Sequence, residues 1–269
     1  MPQPPSNLKD FKSLLQIISD LRGPDGCPWD LEQTHQSLAA YAIEEVHELV
    51  EAIEQNDDSH MCEELGDVLF QVVLHAQMAE ERNKFNLSDV IESISSKVVR
   101  RHPHVFSGLK VSNNQEIIAN WDQIKKEEAL LKPKKSKLID IPDSLPALQR
   151  SYKIGEKTAT FNFDWTEVRD VLQQLKAEIV ELEQAMDETV SPESFLHVEH
   201  EMGDVLFSAA QLSRHLKIEP ESVLREANRR FLKRFAKMVE LSGVPSEKFK
   251  NLLPEEKQNF WSAAKKLEN

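Results

Sequence analysis

One acidic pattern occurs twice in this chain, and it limits the fold more than any other feature. Glu44-Glu45-Val46-His47-Glu48 precedes Glu63-Glu64-Leu65-Gly66-Asp67-Val68-Leu69-Phe70. Later, Glu178-Ile179-Val180-Glu181 precedes Glu201-Met202-Gly203-Asp204-Val205-Leu206-Phe207. Each copy is Glu-x-x-Glu followed by Glu-x-x-Asp. An i, i+3 spacing puts both carboxylates of a segment on one face of a helix, so four can converge between two helices. Crowding like charges costs free energy through Coulomb repulsion and desolvation, and a hard divalent cation offsets that cost.

A chain of 269 residues is long enough for two domains, each with its own core. With only 7 Gly and long amphipathic stretches rich in Leu, Ala, Glu, Lys and Gln, the expected class is all-α: two tandem, duplicated helical bundles. Helical spacing predicts segments near 10–21, 37–55, 59–82, 88–101 and 114–130, with Ser88 as an N-cap and a loop ending in Trp29-Asp30. In the second half it predicts 147–158, 167–187, 192–216, 221–241 and 255–267. Lys132-Pro133-Lys134-Lys135-Ser136-Lys137, Pro142 and Pro146 read as a linker. The expected domains are therefore 1–130 and 147–269, joined by 131–146. The repeat extends beyond the acidic residues. Trp29 precedes the first cluster as Trp165 precedes the second, and Lys97, Arg100 and Arg101 align with Arg230, Lys233 and Arg234. The copies differ in the connection between their acidic helices: Glu48 and Glu64 are 16 apart, Glu181 and Glu201 are 20 apart. Insertion in a connecting loop leaves the cluster intact.

The formal charge of -13 argues against nucleic-acid binding through a broad basic surface. It leaves room for a small polyanion held by clustered cations, which Lys97, Arg100, Arg101 and Arg229, Arg230, Lys233, Arg234 supply. No apolar run of about 18 residues is present to span a bilayer, and Met1-Pro2-Gln3-Pro4-Pro5 lacks signal-peptide features. A soluble cytoplasmic protein is expected, with Cys27 and Cys62 as ordinary reduced thiols.

Oxygen-only ligands on rigid helices suit Mg²⁺ or Mn²⁺, and magnesium commonly shares its sphere with substrate phosphates. Phosphate chemistry is the natural use. A metal neutralises phosphate charge and lowers the pKa of a bound water, which Glu45 or Glu178 would orient or deprotonate. Gly66 and Gly203, each directly before the aspartate, suggest close approach of another helix or of ligand. Trp29 and Trp165 suit either stacking on a base or filling a core. His47, His102 and His104 read as surface or capping residues. Gly155-Glu156-Lys157-Thr158 lacks the glycine and strand context of a phosphate loop. A di-iron bundle would need two Glu-x-x-His motifs; Glu44 and His47 form one, but Ala177 and Val180 stand at the matching places.

The chain resembles the MazG-like nucleoside triphosphate pyrophosphohydrolases, an all-helical family with Glu-Glu-x-x-Glu, a spacer and Glu-x-x-Asp. The similarity extends to Gly26-Cys27-Pro28-Trp29-Asp30, Gln33-Thr34-His35, His102-Pro103-His104-Val105-Phe106 and Trp121-Asp122-Gln123-Ile124-Lys125. It implies Mg²⁺-dependent cleavage of a nucleoside triphosphate between its α and β phosphates, giving monophosphate and pyrophosphate. It also implies metal ligation by Glu45, Glu48, Glu64 and Asp67, and by Glu178, Glu181, Glu201 and Asp204. Lys125, Arg230, Lys233, Arg234 and Trp261 would contact nucleotide, and the protein would be a homodimer. The alternative from another class is a nucleotide-binding or regulatory bundle whose sites do not all turn over. Ala177 in the place of Glu44 makes the copies unequal. The denser basic helix and Trp261 point to the second as the active one.

Overall fold

The computed structural model describes residues 1–131 and 138–267. Among these it contains thirteen helices and no strand, so the all-α expectation holds. The chain divides into two compact units, Met1–Pro133 and Lys134–Asn269. The expected linker residues 132–137 lie outside the described residues; 138–146 are turns and coil, with Ile141 buried.

The first unit comprises α1 (Phe11–Leu21), α2 (Pro28–Glu32), α3 (Ala39–Gln55), α4 (Asp58–Glu81), α5 (Leu87–Arg101), α6 (Pro103–Phe106) and α7 (Asn114–Leu131). The second comprises α8 (Ala147–Ala159), α9 (Val168–Met186), α10 (Pro192–His215), α11 (Pro220–Ser242), α12 (Ser246–Phe249) and α13 (Pro254–Lys266). The same packing order recurs. α3 lies along α4 as α9 lies along α10; α1 packs on α4 as α8 packs on α10; α5 meets α7 as α11 meets α13. Only α2 has no counterpart. The loop expected around Trp29-Asp30 is this short helix, started by Pro28 at its first turn and holding Asp30 buried.

Local chemistry fixes the helix that matters most in each unit. Asn56, in the left-handed region at φ 56, ends α3, and the Asp57 side chain then accepts from the Ser59 and His60 amides to start α4. Two residues thus turn the chain back on itself and lay α3 against α4. In the second unit Ser191 and Ser194 form a reciprocal cap that starts α10 after a longer connection. The Ser88 cap predicted for α5 is replaced by Asn86, whose side chain accepts from the Asp89 amide while Asp89 accepts from the Asn86 amide.

The first core gathers Ile18 of α1, Leu38, and Val73, Leu74 and Met78 of α4, with Phe70 and Leu87 against them. Burying each of the large aliphatic chains stabilises the unit by about 1.5–3 kcal/mol. A second cluster, Met238, Phe249 and Ala264 with Phe260 and Trp261, joins α11 to α12 and α13. The first cluster draws on one side of α4, and the charged residues of α3 and α4 lie away from it.

Candidate functional site

The paired helices α3/α4 and α9/α10 carry the acidic residues. In the first unit Glu45 and Glu48 of α3 meet Glu64 of α4, with one oxygen of each within 4.8 Å of the others. In the second, Glu178 and Glu181 of α9 meet Glu201 of α10 by the same measure. Each trio grades from a buried glutamate on one helix to an exposed one on the other. Asp67 and Asp204 lie one turn beyond and outside these trios. Asp67 still acts on Glu45 electrostatically, and Asp204 joins His200 and Glu201 in a second close group.

Burial and crowding set the electrostatics. Partial desolvation, then the charges of Asp67, Glu48, Glu64 and Glu44, push the Glu45 carboxyl above the ordinary glutamate range. Desolvation and neighbouring glutamates push Glu48 the same way, against the opposing effect of His60. Glu64 is 5% exposed and Glu201 7%. Each has one oxygen against a histidine: His60 Nε2 lies 2.9 Å from Glu64 Oε1, and His197 Nε2 lies 3.2 Å from Glu201 Oε1. The other oxygen, Oε2, is buried without a partner in both. An unpaired carboxylate oxygen away from water costs several kcal/mol, and one such oxygen on the buried member of each glutamate trio suits a cation site. The donor set, all oxygen in the first unit, fits Mg²⁺ or Mn²⁺.

The basic helices are placed differently in the two units. Arg100 and Arg101 of α5 both donate to Glu128 of α7, whose carboxyl they hold down at about 2. Lys97 is half-buried one turn earlier on α5, and Lys125 pairs with Asp122 at 3.5 Å on α7. On α11, Arg230 approaches Glu226 at 3.7 Å and Lys233 is exposed; Arg234 lies on the same run. Trp261 of α13 packs on Phe231 at 5.1 Å between ring centres, beside that run. Trp29 is half exposed and set edge-on to Tyr41, 6.2 Å away. Trp165 lines a cavity of about 400 Å³ with Phe163, Phe207, Asn162 and Gln211. A base-stacking role is thus open to both tryptophans, and neither fills a core.

A family model, the MazG nucleotide pyrophosphohydrolase domain, matches residues 33–106, the segment that carries the first acidic trio and its basic helix. The nucleoside triphosphate pyrophosphohydrolase/pyrophosphatase MazG of Thermotoga maritima is 42% identical over 255 residues, covering 95% of each chain. The nucleoside triphosphate pyrophosphohydrolase of Escherichia coli K12 is 41% identical over 262 residues, 97% of this chain and 99% of that one. The chain belongs to the MazG nucleotide pyrophosphohydrolase family. Similarity also reaches YabN of Bacillus subtilis, 42% identical over 260 residues, 96% of this chain and 52% of that protein.

Several residues around the acidic trios of this MazG-family chain lay outside the sequence reading. His60 and His197 sit four residues before Glu64 and Glu201, a spacing that the repeat displays once the copies are aligned. Gln174 donates to Glu178 Oε1 at 2.8 Å, again from one turn earlier. Glu188, in the longer α9–α10 connection, lies 2.9 Å from His197 Nδ1 and lines an open depression of about 630 Å³ with Ala177, Val180, Glu181 and Glu201. Glu128 carried no sequence signal, because the packing of α7 on α5 decides its place. Of the two causes expected for Gly66 and Gly203, close approach of another helix is not found: a Cβ on either would meet nothing within 4 Å among the described residues, which leaves the approach of ligand. Both glycines lie on an open surface beside the site.

Proposed function

We propose that this protein is a Mg²⁺-dependent nucleoside triphosphate pyrophosphohydrolase, with Mn²⁺ as a substitute, cleaving between the α and β phosphates to monophosphate and pyrophosphate. The observation that carries the reading is the doubled trio, in which three glutamates converge and the buried one, Glu64 or Glu201, keeps one oxygen without a partner. Full-length similarity to proteins bearing that activity in their names supports it. Glu45, Glu48, Glu64 and Asp67 would hold the cation in the first unit, and Glu178, Glu181, Glu201 and Asp204 in the second. When bound, the cation supplies neutralisation of phosphate charge and a lowered pKa for a nearby water.

The chain's own residues do the rest. Glu45 and Glu178, each partly buried at the head of its trio, orient the attacking water and take its proton. Lys97, Arg100, Arg101 and Lys125 in the first unit, and Arg230, Lys233 and Arg234 in the second, hold the outer phosphates. Arg100 and Arg101 pair with Glu128 and Arg230 pairs with Glu226, so cations of both units already face a carboxylate that a polyphosphate would displace; the denser basic run of α11, with Trp261 beside it, favours the second unit. Trp29 and the Trp165 cavity offer apolar faces for a base, and Trp261 lies beside the α11 cations. A partner copy would cover the open strip at Gly66 and Gly203, giving a homodimer. No helix among the described residues is long and apolar enough to cross a membrane, and a cytoplasmic site of action suits the reading.

The test is to incubate the protein with each NTP and dNTP plus Mg²⁺ and to assay pyrophosphate and monophosphate. Equal release of both is expected, and no pyrophosphate from any nucleotide would sink the enzymatic reading in favour of a binding bundle. Glu48→Gln with Asp67→Asn, set against Glu181→Gln with Asp204→Asn, assigns turnover to a unit. The second pair is expected to cause the larger loss, and full activity in both pairs would refute the carboxylate assignment.

A further inference from the structure

The buried glutamate of each trio has an asymmetric environment: in both units its Oε1 faces a histidine one turn earlier, and in the second unit His200 Nδ1 also lies 3.5 Å from Glu201 Oε1. Glu64 Oε1 meets His60 Nε2 at 2.9 Å and Glu201 Oε1 meets His197 Nε2 at 3.2 Å, each histidine one helical turn earlier. The second oxygen of both glutamates is buried and unpartnered. Surface pairs at i, i+4 are common and contribute little. These two differ because the acceptor is more than nine-tenths buried, where a freely rotating carboxylate would be costly. The repeat adds an independent argument. Between the two copies the neighbours change completely, Ser59, Met61, Cys62 and Glu63 becoming Leu196, Val198, Glu199 and His200, while the histidine and its glutamate recur.

We propose that His60 and His197 are positioning residues that tie down one carboxylate oxygen of Glu64 and Glu201 so that the other is presented to the divalent cation. The idea rests on the metal-dependent reading above. An outer partner of this kind fixes the ligand's rotamer before the cation arrives, and losing one typically weakens metal binding by about 10–100-fold. In the second unit the His197 ring is itself held, because its Nδ1 lies 2.9 Å from Glu188 Oε1. Glutamine can replace the donor. This chain uses Gln-to-carboxylate bonds over one turn elsewhere, Gln174 to Glu178 and Gln123 to Glu127, both at 2.8 Å.

Mn²⁺ binding to the full-length protein, followed by loss of the free-ion electron paramagnetic resonance signal, tests this without reference to turnover. The His60→Leu/His197→Leu double variant should bind Mn²⁺ with Kd raised about 10–100-fold. His60→Gln/His197→Gln should stay close to wild type, and the kcat of the leucine variant at saturating Mn²⁺ should recover while its half-activating Mn²⁺ concentration rises. If circular dichroism shows the leucine pair unfolded, the alanine pair carries the same expectation. Unchanged Mn²⁺ affinity in a folded leucine or alanine pair, with binding lost in Glu64→Gln/Glu201→Gln, would overturn the positioning role alone. Unchanged affinity in the glutamate variants, or no binding by wild type, would overturn it together with the metal site. Equal weakening by glutamine and leucine would also count against it, since the donor would then not be the cause.

Discussion

Glu45 and Glu178 share a register but not a setting. Gln174 donates to Glu178, whereas the first unit has Tyr41 at that register, turned edge-on to Trp29. Glu45 is left to desolvation and to the charges of Asp67, Glu48, Glu64 and Glu44, and its carboxyl is pushed up. The sign of the consequence follows from linkage. A carboxyl that holds its proton more tightly when folded costs nothing at low pH, and it costs stability once pH passes its folded pKa. In the metal-free protein Glu45→Gln should therefore raise the Tm near neutral pH. The gain should fade as pH falls into the ordinary glutamate range. Calorimetry in EDTA at two pH values checks it, and a variant less stable than wild type at neutral pH would show that Glu45 is held by contacts rather than strained by charge.

At the scale of elements, long amphipathic helices were legible because their apolar spacing is written locally. α1, α3, α4, α5, α10 and α11 begin and end within a few residues of their expected limits. The short ones were not. α2, α6 and α12 are four or five residues long, too brief for a period, and a proline begins the first two. The carboxylates of the site were legible for the same reason as the long helices, since an i, i+3 spacing survives folding unchanged. Contacts between distant segments were not, and the α8–α9 connection is one of them. Asp164 there forms a two-oxygen ion pair with Arg214 at the end of α10, and His215 approaches at 3.0 Å. Gly155 of α8 makes room for this, as a Cβ there would collide with Gln211 and Arg214. The ion pair holds the Asp164 carboxyl down at about 2, so its contribution is fully present above the ordinary aspartate pKa and is lost as pH falls from there to about 2. Asp164→Asn should cost about 1 kcal/mol in urea denaturation at pH 7, since the pair is partly open to solvent, with a smaller difference at pH 3. A difference that does not narrow would assign the loss to packing instead.

For the whole molecule, the acidic faces raise a question of cover. Val46, Leu65 and Leu69 flank the first trio, and Ile179, Met202 and Leu206 occupy the same registers in the second. All six are between 39% and 53% exposed, and Gly66 and Gly203 lie open among them. Scattered apolar residues need no explanation, but a set repeated register for register beside both sites is where the homodimer proposal would place the contact. A second copy of the chain is the partner that the homodimer proposal requires, and a stable interface of that kind covers roughly 800 Å² on each side. A charge placed in such an interface would be buried unpaired and should split it, whereas on a solvated face it would have little effect. Light scattering on Leu69→Asp and Leu206→Asp at micromolar concentration distinguishes the two cases. Wild type is expected at twice the chain mass, and at least one variant at the single mass with its helical circular dichroism intact. Whichever variant dissociates identifies the unit whose strip forms the interface. A wild-type protein that runs as a monomer, or two variants that both stay dimeric, would show that these strips are not where the copies meet.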